Sequence, residues 1–171
     1  MKRILLFLFL ALLFPFPLSA NSPFESFQSA EPFLPKLKIN VVTDRAVVFP
    51  GEEFKFYVSI FIEEGWHIYS LNPFKGSETL ATQILIAENV FQELKAWKEP
   101  EPVLIQDGAI GRMVKGHKGN IEFSRTYSVP AGVEASEYSI EGKLVYRACD
   151  NSLCTLPQIY PFKTPINVGS R

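Results

Sequence analysis

The sequence predicts an all-β fold, an antiparallel β-sandwich, and three observations carry that expectation. Apolar and polar residues alternate in several segments. The plainest is Phe54, Phe56, Val58, Ile60 and Ile62 interleaved with Lys55, Tyr57, Ser59 and Phe61, the period of a half-buried strand. Turn-forming Gly, Pro and Asn separate these segments, leaving about eight or nine short strands roughly ten residues apart. Little of the chain reads as helix.

The strands are justified in order. KINVVTD, from Lys38, is the first, and RAVVFPGEE is a turn around Pro50 and Gly51. FKFYVSIFIEE follows, then GWHIYS, which places His67 in a strand between Trp66 and Ile68, and the turn-rich LNPFKGSE. TQILIAE is a strand, whereas FQELKAW fits either a strand or a helical turn. EPEPVLIQDGAIG reads as a loop punctuated by Pro and Gly, and His117 lies in the expected turn KGHKG. Two long alternating runs, GNIEFSRTYSVP and EYSIEGKLVYRAC, precede the closing segment IYPFKTPINV. The Cys…Trp…Cys order of antibody domains is absent, since Cys149 and Cys154 both fall late in the chain.

The N-terminus has the three parts of a secretory signal peptide. Lys2 and Arg3 precede the apolar run Ile4–Phe14, and Pro15, Pro17 and Ser19-Ala20 follow. That run is too short to span a bilayer comfortably. Residues 1–20 are therefore expected to be a signal peptide, and 21–37, rich in Pro, Ser and Gln, a flexible leader. Residues 38–168 form the expected domain, and its length suits a single hydrophobic core. Removing Lys2 and Arg3 from the 17 basic residues leaves 15 against 18 acidic ones, a net charge of −3. That balance argues against a nucleic-acid partner, whose binders carry basic patches. No second long apolar segment follows the signal, so no stable membrane insertion is expected after cleavage. Export favours disulfide formation. GxSxG and HExxH are both absent, and two histidines leave no obvious hydrolytic triad.

The segment LVYRACDNSLCTLPQIYPF holds the only two cysteines. As a staple the pair is inefficient, because a six-residue loop gains only about 2 kcal/mol, against about 4 for a sixty-residue one. As a metal site it lacks partners, since nothing in the sequence places His67 or His117 beside it. As an exchanging pair it has an attacking and a resolving thiol close together at a strand end. It is not the CxxC of thioredoxin-like proteins. The residues alone leave these readings open.

VYRACDNSLCTLPQIYPF resembles the active-site segment of the N-terminal periplasmic domain of the thiol:disulfide interchange protein DsbD. The shared features are Tyr146, Cys149, Cys154, Pro157 and the strand around Ile159–Phe162. GWHIYSLNPFKGSETLATQI is similar to the family's Gly-aromatic-x-x-Tyr strand through Gly65, Trp66 and Tyr69. DGAIGRMVKGHKGNIEF looks like its loop over the disulfide, and the resemblance runs from about Lys38 to Val168. It implies an immunoglobulin-like sandwich with inserted strands around the cysteines and a reversible Cys149–Cys154 disulfide. It implies that Cys154 forms the intermolecular bond and Cys149 resolves it.

The same resemblance implies a periplasmic location, where the export signal alone fits an extracellular one equally, and a role as a component of a thiol:disulfide oxidoreductase; no cofactor is expected. The implied partners are the thioredoxin-like redox domain of a membrane protein and a periplasmic disulfide isomerase or other thiol oxidoreductase. Family proteins continue into a membrane domain, so a chain ending at Arg171 is expected to need a separate reductant. Tyr69 and Tyr146 are expected near the sulfurs or in plain strand packing, and Asp107 as a thiol-tuning or turn-forming residue. Where the family's loop carries aromatic residues, this sequence has Ala109 and Ile110, a smaller cap. The competing reading is a secreted binding module with a permanent disulfide.

Overall fold

The computed structural model describes residues 37–170. The expected signal peptide and all but the last residue of the expected leader lie outside them. Twelve strands and one short 3-10 turn at Glu78–Leu80 account for the regular structure. Among the described residues no α-helix forms, and no helix is long and apolar enough to cross a membrane.

Two four-stranded sheets make the sandwich. The first has the order β1-β3-β9-β6, with β1 Leu37–Thr43, β3 Glu53–Ile62, β6 Gln92–Glu93 and β9 Asn120–Ser128. The second runs β2-β12-β10-β5, with β2 Val47–Val48, β5 Gln83–Ile86, β10 Ser136–Tyr146 and β12 Gln158–Val168. Pairing is antiparallel except where β2 meets β12 in parallel, Asn167 opposite Val47. The alternation read in the sequence now has its cause. Phe54, Phe56, Val58, Ile60 and Ile62 of β3 are all buried, and their neighbours face outward. They pack with Phe123 and Tyr127 of β9, Ile140 and Leu144 of β10, and Ile166 and Val168 of β12. Phe56 meets Phe162 across the sandwich at 5.8 Å between ring centroids. Burial of such side chains at roughly 1.5–3 kcal/mol each is the main term that offsets chain ordering.

A third sheet, β11-β4-β8-β7, is the set of inserted strands. It comprises β4 His67–Tyr69, β7 Val103–Asp107, β8 Arg112–His117 and β11 Ala148–Cys149. Three expectations are corrected here. The segment expected as a loop around Val103–Asp107 is a strand, because it pairs along its whole length with β8. His117 is the buried last residue of β8, not a turn residue, and the turn falls at Lys118-Gly119. FQELKAW contributes only the two residues of β6, and the next residue, Lys98, bridges to Ser124, so the stretch is an edge segment of β9 rather than a full strand. β1 also begins at Leu37, one residue inside the expected leader.

Candidate functional site

The CDNSLC segment is a hairpin. Asp150 and Leu153 close it through the Asp150 amide, which donates to the Leu153 carbonyl at 3.0 Å. The Asp150 carboxylate accepts from the Ser152 and Leu153 amides at 2.6 and 2.8 Å, the side-chain-to-backbone turn that Asp favours. These two amides hold the Asp150 carboxyl below its ordinary pKa. One step outward, the Thr155 amide donates to the Ala148 carbonyl at 2.9 Å. Cys149 and Cys154 therefore face each other between two hydrogen-bonded pairs, where opposed residues approach most closely. Their Cα atoms are 4.1 Å apart and their sulfurs are bonded. The two cysteines differ in exposure: Cys149 is 0% exposed, whereas Cys154 is partly exposed.

Strand register assembles the rest. Cys149 pairs with His67, Ala148 with Ile68, Tyr69 with Gly116, and Ile105 with Val114. Because alternate residues share a face, Cys149, His67, Tyr69, Val114, Ile105 and Asp107 lie on one side of the third sheet. Ile68 and Ala148 lie on the other side and join the main core. The site side has its own small apolar cluster: Tyr69, Ile105, Val114 and Cys149, with Leu80, Ile110 and Cys154 against it. Gly116 permits this closeness, since a β-carbon there would stand 2.7 Å from the Ile68 carbonyl oxygen.

At the centre is the Tyr69 hydroxyl. It donates to Asp107 Oδ2 at 2.7 Å and lies 3.0 Å from Cys149 Sγ and 3.4 Å from Cys154 Sγ. Asp107, 0% exposed, has its other oxygen facing the loop. Oδ1 accepts from the Ala109 and Ile110 amides at 2.9 and 3.3 Å. Asp107 thus both shapes the loop and reaches the sulfurs through Tyr69. His67 Nε2 completes the group, 3.2 Å from Asp107 Oδ2. This overturns the expectation that nothing would bring His67 beside the cysteines: pairing of β4 with β11 does so directly. Burial, then the Asp107 hydrogen bond, push the Tyr69 hydroxyl far above its usual pKa.

The expected residues divide accordingly. Cys149, Cys154, Tyr69 and Asp107 meet, and Ile110 packs on the cysteine cluster as a cap. Ala109 contributes its amide. Tyr146 instead packs against the main core, because Tyr146 and Cys149 are separated by the break between β10 and β11. Sequence reasoning missed His67, Leu80 and Gly108. At Gly108 an added β-carbon would collide with the Asn151 carbonyl oxygen, so the cap loop touches the cysteine hairpin backbone to backbone. Gly108→Ala is expected to push the cap loop off the hairpin and speed alkylation of the reduced cysteines, read by thiol-trapping rates.

A second buried network lies behind β4. The Glu99 carboxylate accepts from Ser70 Oγ, the Leu71 amide, Asn72 Nδ2 and His117 Nε2, all at 3.0 Å or less. Burial pushes the Glu99 carboxyl up, but these donors outweigh it and hold its pKa below the ordinary value. The network ties the turn after Tyr69 to β8 and so holds one side of the site.

Burial lowers the His67 pKa from its ordinary 6.5; Lys118 adds to this, and the Asp107 and Asp150 carboxylates oppose it. The fold therefore favours neutral His67. Its contribution is complete above the unfolded value and declines as pH falls through and below about 6.5. His67→Gln is expected to flatten the fall in stability between about pH 7 and 5, measured by urea unfolding against the parent.

A disulfide in a surface hairpin, with Cys149 buried on a polar network and Cys154 partly exposed, is an arrangement that supports the class of thiol–disulfide exchange modules. The comparisons with known proteins agree. The family model for the N-terminal part of the thiol:disulfide interchange protein DsbD matches residues 39–164, and the chain belongs to that family. Among solved structures it is similar to the N-terminal periplasmic domain of ScsB from Proteus mirabilis, with a TM-score of 0.52 and 16% identity. The match covers 75% of this chain but only 45% of that one, and it supports the sandwich fold. A sporulation control protein, Spo0M from Bacillus subtilis, aligns with a TM-score of 0.34 and 11% identity, over 79% of this chain and 50% of that one. No curated protein sequence matches.

Proposed function

We propose that the domain relays electrons by reversible opening of Cys149–Cys154, with Cys154 as the sulfur that meets partners and Cys149 as the resolving thiol. The unequal exposure of the two cysteines carries this reading. A thiolate from a partner's dithiol attacks Cys154 Sγ. The Cys149–Cys154 bond breaks, a Cys154–partner disulfide forms, and Cys149 leaves with the electron pair and takes a proton. The partner's second thiolate then attacks its own sulfur in the mixed disulfide and releases Cys154, which is protonated in turn. Two electrons and two protons have passed to this chain, and the partner is left oxidised. In the forward step the Cys154 thiolate attacks a disulfide in the acceptor, and Cys149 resolves the adduct by the same chemistry.

Tyr69 has its proton directed to Asp107, so its oxygen presents lone pairs toward the sulfurs. The reduced Cys149 thiol then has a hydrogen-bond acceptor in place. Leu153 and Leu156, the latter 80% exposed, flank Cys154 and offer a small apolar rim suited to a transient contact. The donor in this reading is the thioredoxin-like domain of a membrane protein. The acceptors are oxidoreductases such as disulfide isomerases, in the periplasm.

The test is the reduction potential of the disulfide, by equilibration with glutathione buffers and thiol trapping. A relay is expected to fall at roughly −180 to −270 mV. A value below about −300 mV would mark a permanent bond and refute the relay.

A further inference from the structure

His67, Asp107 and Cys149 are all buried, and one ligand atom from each lies within 4.8 Å of the other two. Cys154 Sγ, bonded to Cys149 in the oxidised protein, supplies a fourth donor once that bond opens. We propose that reduction converts the site into a four-ligand centre, Cys149–Cys154–His67–Asp107, that binds zinc and thereby silences thiol exchange.

The donor set fits that ion. Zinc takes thiolate, imidazole and carboxylate ligands, and a site with four protein ligands is closed. Two thiolates disfavour magnesium and calcium, which prefer oxygen ligands throughout. The surroundings are those a metal centre needs. Asp107 is oriented by the Ala109 and Ile110 amides. The Tyr69 hydroxyl, within reach of Asp107 and both sulfurs, is an outer partner of the kind that fixes ligands. A small cleft of about 70 Å³ beside the site has His67 in its lining, with Gly65, Ile105, Gln106, Lys118, Asp150 and Asn151.

The chemistry balances. A dithiol reductant supplies two electrons and two protons to the disulfide, giving two thiols. Zinc then displaces both protons and forms two zinc–sulfur bonds. In the oxidised protein neither sulfur is a thiolate, so the centre exists in one redox state only. Zinc-bound thiolates are withdrawn from attack on disulfides, which makes the reduced relay sensitive to the free metal.

The proposal rests on the disulfide opening, which excess phosphine reductant enforces whatever its natural potential. A failure to bind zinc is thus separate from a failure of the relay reading. The full chain, oxidised or reduced, is titrated with zinc under anaerobic conditions against a chromophoric chelator. Reduced protein is expected to bind one equivalent and to lose alkylation of both cysteines; oxidised protein is expected to bind none. His67→Ala and His67→Gln, checked for folding, are expected to weaken binding by at least the roughly tenfold that loss of a mere outer partner of a ligand costs. X-ray absorption at the zinc edge of the parent protein is expected to show sulfur and imidazole ligands together. No binding by reduced parent protein, undiminished binding in the folded His67 variants, or a spectrum without imidazole would overturn the proposal.

Discussion

Cys149→Ser is expected to accumulate a covalent adduct with a thioredoxin-like partner, and Cys154→Ser to accumulate none. In the first variant the partly exposed Cys154 still attacks a disulfide on the partner, and when the partner's own second cysteine is also replaced no thiol remains to resolve the mixed disulfide. In the second, the remaining thiol is fully buried behind the hairpin, and a partner sulfur cannot reach it in line. Both variants lose turnover, so the adduct and not the rate separates the two roles. Non-reducing electrophoresis reads it after mixing with a thioredoxin that lacks its resolving cysteine and carries thionitrobenzoate, the leaving group, on the other. Loss of the bridge costs only about 2 kcal/mol for so short a loop, so both variants are expected to stay folded. An adduct forming equally through Cys149 would reverse the assignment of roles.

Asp107→Ala is expected to be the most damaging change outside the cysteines. The carboxylate is fully buried and accepts from Tyr69, His67, Ala109 and Ile110. Truncation leaves several buried donors without acceptors at about 1–3 kcal/mol each, so a loss on the order of 3 kcal/mol or more is expected in urea unfolding. Asp107→Asn keeps an acceptor for the loop amides but can turn an amide NH2 toward Tyr69. The hydroxyl then loses its acceptor and can donate to Cys149 instead. A smaller stability loss with a shifted pH profile of thiol reactivity is expected. If Asp107→Ala proves neutral in stability, the carboxylate does not organise the site.

The two kinds of knowledge divide along sequence distance. The β3 strand was legible because its alternation is local: five buried side chains two residues apart announce one buried face. The closeness of Cys149 and Cys154 was legible for the same reason, since four residues separate them, but the hairpin bonds that set one against the other were not. The short strands β7 and β8 were not, because Val103 and Leu104 lie exposed at an edge and Gly116 interrupts the apolar pattern. VLIQD between Pro102 and Gly108 is the signal that could have found β7.

The sequence by itself determined the β-sandwich, the buried face of β3 and the closeness of Cys149 and Cys154 in the chain. Resemblance to a redox family added the expectation of exchange. Only the tertiary structure decided which polar groups attend the sulfurs. His67 and Asp107 are 40 residues apart, and Tyr69 and Cys149 are 80 apart. What joins them is the register of β11, β4, β8 and β7. A one-residue slip in that register would turn His67, Tyr69 or Cys149 to the opposite face, and no local pattern in the chain specifies it.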